Sequence, residues 1–162
     1  VTAPRGTSIA AIRDSKSRAE TQRLEARREI EGAALSVSVG ICSPQEIDKL
    51  SMLWAAMEAM RRAAADCLPG PDFLLVDGNQ CFKDSPWPYE TIVKGDATSQ
   101  SIAAASIIAK TERDAMMRQL HEEHPAYSWD SNVGYPTKAH YAALAEHGAT
   151  PYHRQSFTLF RD

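Results

Sequence analysis

Two aspartates, each close to a glycine, have the type and surroundings that metal-assisted hydrolysis requires. Asp77 ends the apolar run Phe73-Leu74-Leu75-Val76 and precedes Gly78-Asn79. Asp96 stands in Lys94-Gly95-Asp96, ahead of the small-residue run from Ala97 to Lys110. Hard cations such as Mg²⁺ take oxygen ligands, commonly one or two carboxylates plus waters and substrate phosphates. Two such ions about 3.5–4 Å apart clamp the attacking and leaving oxygens of a phosphodiester. A structural reading competes with this one. An Asp before Gly is a common turn residue, and Asp96 could simply cap the helix after it.

Three further positions belong to the same argument. Asp114, in Thr111-Glu112-Arg113-Asp114, either points back toward the site as an outer acid or pairs with a nearby arginine. Lys16, Lys94 and Lys110 have the charge to face phosphates, although lysines are ordinary on any surface. Tyr135, held between Gly134 and Pro136, reads as an aromatic on a rigid exposed turn. Such a ring stacks on a sugar or base, or serves as a packing anchor.

The elements that must position these residues follow from periodicity and punctuation. Ser17 with Glu20 matches a capping box, predicting a charged, solvated surface helix to Gly32. Leu35 to Ile41 alternates with period two, as a half-buried strand does. Ser43-Pro44-Gln45-Glu46 combines an N-cap, a first-turn proline and a glutamate three residues on. From there Ile47, Leu50, Trp54, Met57, Met60 and Ala64 recur at helical spacing and are expected in the core. Pro69-Gly70-Pro71 ends that helix. Asp72 to Val76 reads as a buried strand delivering Asp77, and Thr91 to Val93 as a second one delivering Lys94 and Asp96. A helix from about Ser99 to His121 follows, its Ala and Ser residues lining a close approach to a neighbour. Tyr127 to Pro136 reads as a polar aromatic loop. Thr137 caps a last helix that Gly148 stops, before a basic, aromatic tail from Tyr152 to Phe157. Strands alternating with helices indicate an α/β domain, in which ligands gather beyond the strand ends.

The totals set bounds. At 162 residues the chain fits a single domain burying roughly two thirds of its unfolded surface. A formal charge of -3 excludes polyanion binding by bulk charge, leaving a local basic face or bound metal ions. The three cysteines, Cys42, Cys67 and Cys81, form no C-x-x-C pair and read as reduced thiols. The longest apolar run falls far short of the roughly 20 residues of a membrane span. Neither G-x-S-x-G nor a phosphate loop occurs, which ranks a metabolic hydrolase last.

Taken together, several of these stretches resemble bacterial ribonuclease HII. They are Asp14-Ser15-Lys16, Ser43 to Asp48, Val76-Asp77-Gly78-Asn79, Lys94 to Asp114, Gly134 to His140, and His153-Arg154-Gln155-Ser156-Phe157, in family order. The resemblance implies a ribonuclease H-like fold with a mixed sheet flanked by helices and a C-terminal helical part. It implies an endonuclease that cuts RNA in RNA–DNA hybrids, and ribonucleotides embedded in duplex DNA, with Mn²⁺ or Mg²⁺. It makes Asp77 and Asp96 two of four catalytic, metal-binding carboxylates. Asp114 becomes an outer acid, and Lys16, Lys94 and Tyr135 become substrate contacts. It further implies a cytoplasmic monomer.

The chain departs from that pattern at its start. The family opens with a strand carrying an adjacent Asp-Glu pair and then Gly-Arg-Gly, and residues 1 to 12 match neither. Val133 stands where a basic residue is usual. The chain does not begin with Met, so an N-terminally incomplete member of the family is expected, with very weak metal binding and little cleavage. The alternative function is a catalytically silent module that binds hybrid or duplex.

Overall fold

The computed structural model describes residues 1–4, 6–8, 12 and 20–157. Its elements are α1 (Glu20–Ala33), α2 (Pro44–Leu50), α3 (Met52–Asp66), β1 (Leu74–Asp77), β2 (Tyr89–Ile92), α4 (Gly95–Thr98), α5 (Gln100–Glu123), a 3₁₀ turn (Pro125–Tyr127), α6 (Trp129–Asn132) and α7 (Lys138–His147). They fall into two compact units. One comprises Val1–Ile41 with Ala56–Thr111, the other Cys42–Ala55 with Glu112–Asp162.

In the first unit, Ala103, Ala104, Ile107 and Ile108 of α5 form a stripe at helical spacing. They pack with Ala26 and Ile30 of α1 and with Ile12, flanked by Val1, Val37 and Val39. The alanines permit the close approach expected of this helix, but Ser101 and Ser106 face solvent rather than lining it. The expectation of a solvated α1 needs a matching correction. Ala26 and Ile30, four residues apart, are fully buried, so two apolar positions are enough to dock an otherwise charged helix. Its expected cap, Ser17, lies outside the described residues. The Thr111 hydroxyl donates to the Ile107 carbonyl at 2.9 Å and accepts from Arg27 Nη1 at 3.2 Å.

Among the described residues, 35–41 do not join the sheet: an antiparallel bridge pairs Ser36 with Thr2, and Val37 and Val39 pack on the core. Alternation reports half-burial, whereas a ladder also needs a backbone partner. Here Gly40 lies against α3 itself. A Cβ on Gly40 would stand 1.8 Å from the Ala59 carbonyl oxygen.

Strands β1 and β2 are parallel, in register from Leu74↔Tyr89 to Asp77↔Ile92. Of β1 only Val76 is buried, and Leu75 is exposed, so the strand is covered on one face rather than two.

The capping box of α2 forms as read. The Ser43 hydroxyl accepts from Glu46 N at 3.2 Å, and Glu46 Oε2 accepts from Ser43 N at 2.8 Å. The helix does not run on unbroken, because Ser51 takes a positive φ of 73°. That break resets the helical phase. Met57 is buried as expected, but Leu50, Trp54 and Met60 are exposed and Ala55 is buried in their place.

In the second unit the expected polar loop is a core. Tyr127 and Trp129 stack at 5.1 Å and pack with Ala143 and Leu144 of α7, beside Met117 and Leu120. Thr137 caps α7 through His140 N, and Gly148 follows with a φ of 77°. Below this cluster lie two buried imidazoles, His140 and His153, with ring centroids 5.3 Å apart. His153 Nδ1 accepts from Thr150 N at 3.0 Å, so its proton sits on Nε2. Burial lowers both imidazoles from the ordinary 6.5, and the like charge of His140 lowers His153 further.

A consequence for stability follows. The unfolded chain takes up these protons first as pH falls, so the stabilisation is complete above pH 6.5 and is lost below it. The melting temperature is expected to drop as pH is lowered through 6.5, and His140→Gln to flatten that slope. A set of thermal melts across pH checks it, and a pH-independent midpoint would contradict it.

The tail is fastened to α2. Asp48 accepts from Gln155 N at 2.8 Å, from Ser156 N at 3.0 Å and from the Ser156 hydroxyl, and these bonds hold its carboxyl below the usual carboxylate range. Gln45 Nε2 adds a bond to the Pro151 carbonyl at 2.9 Å. Two stretches more than 100 residues apart in sequence are thereby joined.

Candidate active site

The site is built at the ends of β1 and β2. Apolar Leu74-Leu75-Val76 carries the chain to Asp77, the last residue of β1. Beyond β2, Lys94 adopts a left-handed backbone (φ 56°, ψ 39°), a conformation that costs a non-glycine residue roughly 1 kcal/mol. That turn reverses the chain so that the next amide points back at β1. Gly95 N donates to Asp77 Oδ1 at 2.8 Å. By covalent geometry alone, the Cα of Asp96 then lies within about 8 Å of that oxygen.

Gly95 is buried at the centre of this arrangement, and the space beside its Cα is already occupied. An added Cβ would meet Ile102 Cδ1 at 2.4 Å, Ile92 Cβ at 3.2 Å and Asp77 Oδ1 at 3.5 Å. The glycine between Lys94 and Asp96 is thus what lets this turn approach Asp77. The sequence marks it only as a glycine in a loop; its role as the donor that fixes Asp77 is visible only in the fold.

The expected site residues distribute as follows. Asp77, exposed, lies in the first unit with exposed Lys94 and with Asp96, half-buried in the first turn of α4, on the turn that Gly95 N bonds to Asp77. Asp114 is buried on α5, and Tyr135 is 61% exposed on its turn; both belong to the second unit. Lys16 lies outside the described residues. Tyr135 is held by its own amide, which donates to the Asn132 carbonyl at 2.8 Å, and by its carbonyl, which accepts from Thr137 N at 2.9 Å.

The donor set near Asp77 is hard oxygen, which suits Mg²⁺ or Mn²⁺ and not a soft metal. Among the described residues no group of three or more His, Cys, Asp or Glu converges. Two carboxylates still suffice for an ion that keeps several waters and shares its shell with substrate phosphate. The residues therefore fit a hard divalent cation. No helix among the described residues is long and apolar enough to cross a membrane.

The ribonuclease HII family profile matches residues 7–160. The chain belongs to the ribonuclease HII family. A ribonuclease HII of Salinibacter ruber is 66% identical over 98% of this chain and 81% of its own length. One from Bacteroides thetaiotaomicron is 51% identical over 93% of this chain and 76% of its own. Membership makes the chain a hydrolase of the ribonuclease H type, an endonuclease by family. Solved structures agree on the fold. The ribonuclease H2 of Pyrococcus horikoshii superposes with a TM-score of 0.75 at 22% identity, covering 91% of this chain and 77% of that one. A ribonuclease HII from Archaeoglobus fulgidus, solved in complex with PCNA, gives 0.68 at 20% identity, covering 93% and 80%. The ribonuclease H-like α/β architecture expected from sequence is the one observed.

Proposed function

We propose that this chain hydrolyses the RNA strand of RNA–DNA hybrids, and cuts at ribonucleotides embedded in duplex DNA, with Asp77 and Asp96 as ligands to Mn²⁺ or Mg²⁺. The observation that carries this reading is the 2.8 Å bond from Gly95 N to Asp77 Oδ1, which ties the two acid-bearing turns together. When bound, such ions stabilise the attacking and leaving oxygens of a phosphodiester. The protein's own residues orient the rest. Asp77 is fixed through one oxygen, leaving Oδ2 for an ion. Asp96 is held in the first turn of α4, Lys94 offers its ammonium to a phosphate, and Tyr135 offers an exposed face to the sugar of the ribonucleotide. By family pattern Lys16 is a second phosphate contact and Asp114 an outer acid.

Residues 1–162 contain neither an adjacent Asp-Glu pair nor Gly-Arg-Gly. With two carboxylates in place of four, these residues alone bind metal weakly and turn over slowly. The second reading is a module that binds hybrid without cutting it. One experiment separates the outcomes: incubating the chain in Mn²⁺ with labelled RNA–DNA hybrid, and with DNA duplex as control, while measuring both binding and cleavage. Hybrid binding with slow cleavage to 3′-hydroxyl and 5′-phosphate ends is the expected result. Family-like turnover would contradict the impairment, and binding with no cleavage under any condition would favour the silent module. Absence of any preference for ribonucleotide-containing duplex would overturn the nuclease reading.

A further inference from the structure

Asn132, the last residue of α6, is buried with both ends of its side-chain amide in use. Nδ2 donates to the Tyr127 carbonyl at 2.7 Å, and Oδ1 accepts from Gly134 N at 2.8 Å. A carbonyl only accepts and a backbone N–H only donates, so these partners fix which way round the amide stands. The Asn132 carbonyl accepts a third bond, from Tyr135 N at 2.8 Å. One side chain thereby joins the Tyr135 turn to the aromatic core of the second unit.

The two ends of this tie differ in character. Tyr127 is buried, stacks on Trp129 at 5.1 Å and donates its hydroxyl to the Gly148 carbonyl at 2.8 Å, so its own carbonyl is a fixed point. The turn at the other end is strained. Val133 takes a φ of 43° and Gly134 a φ of 80°. Positive φ is a true outlier for a β-branched residue, and such backbone persists only where its surroundings over-determine it. Asn132 does so from one side. From the other, Arg113 Nη2 donates to the Val133 carbonyl at 3.3 Å, and a Cβ on Gly134 would stand 3.1 Å from Met117 Cε. What this strained and fastened backbone carries is a tyrosine that is 61% exposed. Strain of this kind gathers where a side chain has to be aimed.

We propose that Asn132 is a positioning residue whose amide aims the Tyr135 ring at the sugar of the ribonucleotide. The inference rests on the reading of Tyr135 given above and adds what holds that ring in place. A contact residue that is already ordered gives up less conformational freedom on binding, so more of its contact energy appears as affinity.

The test measures fluorescence anisotropy in EDTA, so that no strand is cut. The chain is titrated into a labelled DNA duplex carrying one ribonucleotide, and into the same duplex made wholly of DNA. Asn132→Asp matches the natural residue in size and keeps an oxygen for Gly134 N, but sets an acceptor against the Tyr127 carbonyl. It is expected to lower the preference for the ribonucleotide by at least about threefold. Tyr135→Ala is expected to lower it about tenfold. Adding Asn132→Asp to Tyr135→Ala is expected to bring no further loss, because a residue that acts through the ring then has nothing to act on. A purely structural role would instead weaken both duplexes alike, with or without the ring. Thermal melts confirm that each variant is folded. Should Asn132→Asp not fold, Gly134→Ala, which presses the turn on Met117 and leaves Asn132 bonded to Tyr127, is read in the same way. An unchanged preference in the folded variant, or an equal loss with and without the ring, overturns the inference and leaves the reading of Tyr135 standing. Parental preference in Tyr135→Ala overturns both.

Discussion

Replacing either Asp77 or Asp96 with asparagine is expected to weaken Mn²⁺ binding, and any cleavage of RNA–DNA hybrid, by at least about 100-fold. Loss of a mere hydrogen-bonding partner to a metal ligand already costs 10–100-fold, and loss of the ligand itself costs more. The two substitutions differ in their effect on the fold. Asparagine at 77 keeps an amide oxygen able to accept from Gly95 N, so the turn stays in place while one negative charge disappears. Asparagine at 96 leaves that bond untouched altogether. Both variants should therefore melt close to the parent while losing metal. Isothermal titration with Mn²⁺ alongside a thermal melt reads the two quantities separately. Variants that bind Mn²⁺ as the parent does would show that these carboxylates are turn residues only.

Gly40→Ala is expected to be the most damaging single change to stability, about 3 kcal/mol or more. Overpacking usually costs 1–3 kcal/mol, when side chains have rotamers to give. Here the obstacle is backbone. The new methyl would lie 1.8 Å from the Ala59 carbonyl oxygen, 2.8 Å from its carbon and 2.9 Å from Ala63 N, all within α3. Relief requires moving the helix or residues 35–41, and Val37 and Val39 of that segment already pack on the core of the first unit. Urea denaturation would measure it. A midpoint within error of the parent's would mean that the segment shifts freely.

Some of this was readable from the chain and some was not, for identifiable reasons. Local punctuation carried furthest. Ser43 and Glu46 cap α2, Thr137 caps α7 and Gly148 stops it, because a cap is settled by residues within one turn. The strand ends that deliver Asp77 and the Lys94-Gly95-Asp96 turn were legible from an apolar run followed by glycine. What failed depended on partners distant in sequence. Leu35 to Ile41 has the alternation of a strand, but among the described residues only Ser36 bridges to another backbone. The break at Ser51 has no proline or glycine to announce it, and it moved Leu50, Trp54 and Met60 out of the core. Tyr127 and Trp129 looked like loop aromatics because their partners, Ala143 and Leu144, arrive from a later helix. In the site, residue types named the acids, but the amide that joins them belongs to a glycine whose importance is wholly spatial. The same holds for Asp48, whose bonds to Gln155 and Ser156 give a physical role to two stretches that the sequence marks only as family motifs.

The measurement that bears most directly on the account is paramagnetic broadening of backbone amide signals as Mn²⁺ is added in substoichiometric steps. The predicted result is that Gly78, Gly95 and Asp96 broaden first and together, and that Asp77→Asn, Asp96→Asn protein keeps those signals sharp at the same Mn²⁺. Broadening centred elsewhere on the chain, or equal in parent and variant, would contradict the claim that these two carboxylates hold a divalent ion between them.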